Sequence, residues 1–219
     1  MKFVMSYSGG KDSALALHRA VCAGHSPAAL LVTCDEKNAR SWFHNIPIPL
    51  LRRISEALDV PLLLVPTEGE RYAPDFEEAL RHCAADGIEM CVFGDIDIQE
   101  HYDWCHARCQ NAGVQSFFPL WQQERASVVR EMVEAGFSAM VTVVNHTKMN
   151  EKYLGRTVSH ALLDKLTDDG VDVCGENGEF HTFVYDGPVF KTPVPFATEP
   201  AQRTELTARL PIRPEGEKL

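Results

Sequence analysis

Two rhythms alternate along the first two thirds of the chain: short continuous apolar runs, and apolar stripes spaced three or four residues apart. The run from Phe3 to Tyr7 predicts a buried strand, and Ala14, Leu17 and Val21 share one face of a helix opening at Ala14. Gly24 ends that helix, and Ala28 to Cys34 is a second strand. Leu50, Ile54 and Leu58 mark a helix over 49–58, and Val60 to Pro66 a third strand. A helix over 74–85 opens on Pro74 and stops before Gly87, and Met90 to Phe93 follows as the fourth strand. A helix over 99–111, a strand over 114–120, a helix over 126–135 closed by Gly136, and a sixth strand over 139–144 complete the series.

Strand, helix and strand in regular succession call for parallel crossovers, so an α/β fold with a doubly wound parallel sheet is expected over residues 1–144. The pattern then changes. Residues 145–155 have little periodicity, and the segment between Asn145 and Arg156 is a candidate lid. Val158 to Leu166 is a short helix, Thr182 to Tyr185 a strand, and Asp186-Gly187-Pro188 a turn. Residues 145–195 therefore form a smaller second unit, and 196–219, with its prolines and charges, a loosely held tail.

Composition narrows the class. Of 219 residues, 45% are hydrophobic and 24% charged, a globular balance, and the net charge of −10 argues against an extended nucleic acid as ligand. A span of about 18 apolar residues is missing, so no membrane partner is expected. Met1 leads straight into a core strand, which sets the expected location as the cytoplasm. The seven cysteines, without a CxxC pair, fit reduced and mostly buried thiols.

Between the first strand and helix stands Ser8-Gly9-Gly10-Lys11-Asp12-Ser13. Adjacent glycines let backbone amides approach a ligand, the helix start favours an anion, Lys11 adds a charge, and Ser8 and Ser13 add donors. That combination suits a phosphate chain. The GxxxxGK[ST] pattern fails here, because Met5 and Asp12 stand where glycine and Ser or Thr are required. The hexapeptide instead resembles the signature of the PP-loop ATP pyrophosphatase superfamily. The resemblance implies a loop that holds the β- and γ-phosphates of ATP and leaves the α-phosphate open to a substrate oxygen. Asp12 then fits as a Mg²⁺ ligand.

Other candidates are scattered. Thr33, at the end of the second strand, either borders the adenosine or merely belongs to a strand end with a helix-capping Asp35. His44 is a candidate nucleotide contact or a structural histidine. Asp95, just after Gly94, sits where a metal or ribose would bind, whereas Asp97 reads more as a helix cap. His101, Cys105 and Cys109 share a helix face, but three ligands over two turns of one helix make a poor tetrahedral metal site.

A second constellation lies at Glu176, Asn177, Glu179 and His181, flanked by Gly175 and Gly178. Two carboxylates, an amide and an imidazole could orient an amine, take up its proton or hold Mg²⁺, with Glu179 and His181 on one strand face; the alternative is a hydrogen-bonded hairpin turn.

Together, CGENGEFHTFVYDGPVF at 174–190 and the PP-loop hexapeptide resemble the diphthine–ammonia ligase family, as do Phe43-His44, Phe93-Gly94-Asp95-Ile96 and Pro119-Leu120-Trp121. The resemblance runs from Lys2 to about Pro193. It implies a HUP-type nucleotide-binding domain and a smaller substrate domain. The implied reaction is ATP-dependent amidation: a carboxylate is adenylated, pyrophosphate leaves, and ammonia displaces AMP. In named members the carboxylate is that of diphthine on elongation factor 2; in a bacterial host, which lacks diphthamide, it would be another carboxylate. Carried over, residues 8–13 bind the phosphates with Mg²⁺, and Glu176, Asn177, Glu179 and His181 face the substrate, with Lys11, Asp12, Glu176, Glu179 and His181 as catalytic candidates. Free ammonia is the expected nitrogen donor, and a homodimer the candidate assembly. Two alternatives stand beside it. A PP-loop tRNA-modifying or sulfur-transfer enzyme would want reactive cysteines among Cys105, Cys109 and Cys174, and an ATP-sensing module would need no turnover.

Overall fold

The computed structural model describes residues 1–216. In chain order, the first half comprises β1 (Lys2–Ser6), α1 (Lys11–Cys22), β2 (Ser26–Asp35), β3 (Arg40–Ser41), α2 (Ile48–Leu58), β4 (Leu62–Pro66), α3 (Tyr72–Ala85), β5 (Met90–Val92), α4 (Gln99–Ala112) and β6 (Gln115–Phe117). The second half comprises α5 (Arg125–Glu134), β7 (Ser138–Asn145), α6 (His160–Asp168), β8 (Phe180–Asp186), β9 (Phe196–Thr198), β10 (Gln202–Arg203), β11 (Thr207–Arg209) and β12 (Ile212–Pro214).

Alternate residues of each central strand face opposite ways, and this creates two apolar layers. Phe3 and Met5 of β1, Leu30 and Val32 of β2, and Met90 and Val92 of β5 join α1 and α2 in one cluster. Val4, Leu31 and Cys91 join α3 and α4 in the other. The two-residue period of a strand thus puts helices on both faces, as in a doubly wound sheet. Parallel pairing runs β4-β2-β1-β5-β6, with β3 antiparallel to the end of β2. The order turns at β1: β2 lies on one side and β5 on the other. A crevice opens at such a switch point, beyond the carboxyl ends of the strands.

The sixth expected strand lies elsewhere. β7 pairs antiparallel with β8, Met140 opposite Phe183, and with β11, in a four-stranded sheet ordered β10-β11-β7-β8. Residues Ala139 to Val144 are buried on both faces, so their apolar run is that of any doubly covered strand and does not reveal its sheet. The sheets therefore divide the chain between Phe117 and Ser138, ahead of the expected boundary at 144.

The expected tail is also built in. β10 and β11 extend the second sheet, β12 pairs with β9, and Ala208 and Ile212 are buried. Residues 217–219 lie outside the described residues. In 145–155 the expected lid holds a single 3-10 turn, and its own Met149 and Tyr153 are buried. α1 starts at Lys11, three residues before Ala14, and Val21 is exposed, off the buried face. No helix among the described residues is long and apolar enough to cross a membrane.

Candidate active site

The loop after β1 is shaped by its own hydroxyls. Gly9 takes φ +80°, a region that disfavours any residue with a Cβ. The Gly10 amide donates to Ser8 Oγ at 3.3 Å, Ser8 Oγ to Ser13 Oγ at 3.1 Å, and Ser13 Oγ to the Gly10 carbonyl at 3.0 Å. Gly10 caps α1 without a side chain, so the helix start keeps amides for an anion. From the second sheet, Thr182 Oγ1 accepts the Lys11 amide at 3.0 Å, and the Val184 amide donates to the Gly9 carbonyl at 2.9 Å. β8 thereby props the loop.

The segment after β5 closes on the same point. A Cβ on Gly94 would lie 2.8 Å from the backbone of Asp12 and Ser13, so only glycine lets this turn touch the start of α1. It carries Asp95 to the crevice, where burial raises its carboxyl, against the pull of His101 3.6 Å away.

Charge concentrates at Lys11. Its ammonium is 2.7 Å from Asp12 Oδ2 and 3.9 Å from Glu176 Oε1, with only 8% of the side chain exposed. Burial alone would lower its pKa, but Asp12, Cys174 and Glu176 outweigh that and the net shift is upward. Burial, with Asp12 beside it, pushes Glu176 up to about 7. Ligand atoms of Asp12, Cys174 and Glu176 lie within 4.8 Å of one another. The buried Asp12 Oδ1 has no hydrogen-bond partner among the described residues. An orphaned carboxylate oxygen facing a second carboxylate suits a hard divalent cation such as Mg²⁺, whose remaining positions phosphate and water would fill.

Two imidazoles line the wall beside the loop. His44 is held by the Thr182 carbonyl 2.8 Å from its Nδ1, and its ring packs on Gly10, so closely that a Cβ there would meet Cε1 at 2.3 Å. The carbonyl only accepts, so Nδ1 carries the hydrogen and Nε2 is left as an acceptor. The His181 ring lies 5.0 Å away, open to the cleft. Burial, with His181 and Lys11 nearby, pushes His44 down to about 3; burial and Lys11 lower His181 as well.

These groups face a cleft of about 440 Å³. Its other wall is aromatic, formed by Phe43, Tyr72, Phe76, Phe93 and Trp104. Such a wall can stack a base while the loop end takes phosphates. Thr33 is buried and reaches the cleft through the Tyr72 hydroxyl, 3.3 Å from its Oγ1.

Of the sequence candidates, Ser8, Asp12, Ser13, His44, Asp95, Glu176 and His181 line this one cleft. Glu179 does not line it. Its carboxylate is buried and turned back to the Asn177 amide at 3.0 Å and side-chain nitrogen at 3.2 Å, because the tight turn between Gly175 and Gly178 leaves an amide that needs an acceptor. Asn177 is exposed, bound to Glu179, Asp172 and Arg125. The α4 cluster is split: His101 and the buried Cys105 both reach Asp95, at 3.6 and 3.9 Å, whereas Cys109 is buried away from the cleft. The aromatic wall escaped the sequence reading because its residues from α3 and α4 carry the spacing of ordinary core positions. The glycine and aspartate pattern after β5 was the one available signal.

Residues 1–116 match the family described as diphthamide synthase N-terminal domain, and residues 124–203 that described as diphthamide synthase C-terminal domain. A Danio rerio protein named diphthine--ammonia ligase is 29% identical over 222 residues, covering 87% of this chain and 84% of its own length. The Homo sapiens protein of that name is 27% identical over 216 residues, covering 87% and 81%. A solved structure of a predicted subunit of tRNA methyltransferase from Methanocaldococcus jannaschii covers 89% of this chain and 100% of its own, with 16% identity and a TM-score of 0.49.

Proposed function

This chain belongs to the diphthamide synthase family and is an ATP-dependent ligase that forms a C–N bond; we propose that it does so by adenylating a carboxylate and passing the acyl group to ammonia. The carboxylate we assign is that of diphthine on elongation factor 2, with another carboxylate in its place in a bacterial host. The observation that carries the reading is the meeting of Lys11 and Asp12, at the head of α1, with Glu176 from the second family segment across one cleft.

Residues Ser8 to Ser13 hold the β- and γ-phosphates, with Lys11 as the fixed charge. Asp12 and Glu176 hold Mg²⁺, which when bound neutralises phosphate charge. The aromatic wall takes the base, and Asp95, His44 and the Thr33–Tyr72 pair border the nucleoside. The substrate carboxylate oxygen attacks the α-phosphorus and pyrophosphate departs. Ammonia then adds to the carbonyl carbon, the bond to AMP breaks with its electron pair on AMP, and the nitrogen loses a proton. His181 is neutral and faces the cleft, so it is assigned as acceptor of that proton. Glu179 and Asn177 shape the turn that presents Glu176.

Sulfur transfer is less well supported, because Cys105 and Cys174 are buried and burial pushes both thiols up, away from the reactive thiolate. The unpaired state of all seven cysteines supports a reducing compartment, the cytoplasm.

The test is product analysis with Mg-ATP, ammonium and diphthine-bearing elongation factor 2. AMP, pyrophosphate and an acid-to-amide mass change are expected. ADP and phosphate would overturn adenylation, and AMP without amide would overturn diphthine as the carboxylate.

A further inference from the structure

Arg125 is the first residue of α5, at the start of the second matched segment. Its place is fixed by Glu124, whose carboxylate caps α5 on the amides of Ala126 and Ser127. The segment before it is tied to the loop after β5 through the Gln122 amide and the Ile96 carbonyl, 2.6 Å apart.

From this fixed point the guanidinium reaches segments on both sides of the cleft. Nε and one terminal nitrogen hold Asp97 in a bidentate pair at 2.6 and 2.8 Å. The other terminal nitrogen holds Asp172 Oδ2 at 2.5 Å and Asn177 Oδ1 at 3.3 Å. Asp97 belongs to the loop that carries Asp95. Asp172 and Asn177 bracket Glu176, and the Asp172 carboxylate accepts the Cys174 amide at 2.9 Å. The planar fork of an arginine suits this three-way contact, which the point charge of a lysine cannot reproduce.

We propose that Arg125 is a positioning residue, a clasp that holds the 172–179 turn against the loop after β5 so that Glu176 faces Lys11. This rests on the ligase reading for its consequence in turnover, but the clasp can be read without turnover. Cys174, within the turn, has no exposed surface, whereas Cys91 and Cys109 lie in the other apolar layer, between the parallel sheet and α4. A loosened turn exposes Cys174 and leaves Cys91 and Cys109 covered.

The experiment is iodoacetamide labelling of the full chain, read cysteine by cysteine by mass spectrometry, with amide formation measured in parallel. In Arg125→Ala and in Asp97→Asn, Cys174 is expected to react at least tenfold faster while Cys91 and Cys109 stay protected. Arg125→Lys should fall between them and wild type. Where wild type forms amide, Arg125→Ala should lose at least tenfold in kcat, and Arg125→Lys should recover part of it. Cys174 labelling that is unchanged, or that rises in step with Cys91 and Cys109, overturns the clasp. Faster Cys174 labelling with kcat intact overturns its positioning role. A wild type that makes no amide refutes the ligase reading instead, and the labelling ratio then decides the clasp. If Arg125→Ala does not fold, Asp97→Asn and Arg125→Lys make the same comparison.

Discussion

The ammonium of Lys11 stands between Asp12, 2.7 Å away, and Glu176, 3.9 Å away, and joins the first loop of the chain to its last conspicuous motif. Removing it leaves two carboxylates crowded around a phosphate site. Lys11→Ala should lower kcat/KM for ATP about 100-fold, roughly 3 kcal/mol of transition-state stabilisation. Arginine should not rescue it, because Lys11, 6% exposed, is enclosed in a space that fits a compact ammonium. Steady-state AMP release checks both variants.

Gly94 sets how closely the loop after β5 meets α1. A Cβ there would press on backbone at 2.8 Å, which cannot move aside as a side chain can. Gly94→Ala should cost about 1–3 kcal/mol of stability. It should also weaken nucleotide binding, because Asp95 and the Asp12 backbone move apart. Urea denaturation and ATP titration read the two effects.

The Glu176 carboxyl sits at about 7 in the folded chain against 4.5 as its ordinary value, raised by burial and by Asp12. Between those pH values the folded state keeps a proton that the unfolded state has released. Folding therefore weakens as pH rises through this window, and the full deficit is present above pH 7. Without nucleotide or divalent cations, Glu176→Gln should exceed wild type in stability at pH 8, by on the order of 1–3 kcal/mol, with the gap closing by pH 4. Equal stability at pH 8 would remove Glu176 from the buried charge cluster.

His44 has the opposite linkage. Its folded pKa of about 3 lies below the ordinary 6.5, lowered by burial and then by His181 and Lys11. Between these values the unfolded chain takes up a proton that the folded chain refuses. Stability is thus held above about pH 6.5 and lost as pH falls toward 3. His44→Gln should flatten that loss between pH 6.5 and 4, as read by urea midpoints; an unchanged slope would mean the imidazole titrates normally.

The alternation of runs and stripes made the parallel sheet legible, because β1, β2 and β5 are buried on both faces and their helices on one. The phosphate loop was equally legible, since its glycines, lysine and aspartate act within a few residues of one another. What escaped depends on partners far apart in sequence. β7 reads as one more parallel strand until β8 and β11 claim it. β10 and β11, two and three residues long, are too short for any period to register. Glu179 lies three residues from Glu176 in sequence, yet one turns to Asn177 and the other to Lys11, a choice made by the glycine turn and not by residue type. Arg125 carries no motif at all, and only the fold brings Asp97 and Asp172 to it.

The central claim is that a carboxylate oxygen attacks the α-phosphorus of ATP at the head of α1. Its most direct test is one turnover with diphthine-bearing elongation factor 2 whose carboxylate is labelled with ¹⁸O, followed by mass analysis of the nucleotide. The account predicts AMP carrying one ¹⁸O, since the oxygen that attacks phosphorus stays with it when ammonia breaks the C–O bond. Amide formed with unlabelled AMP, or with the label in phosphate beside ADP, would contradict it.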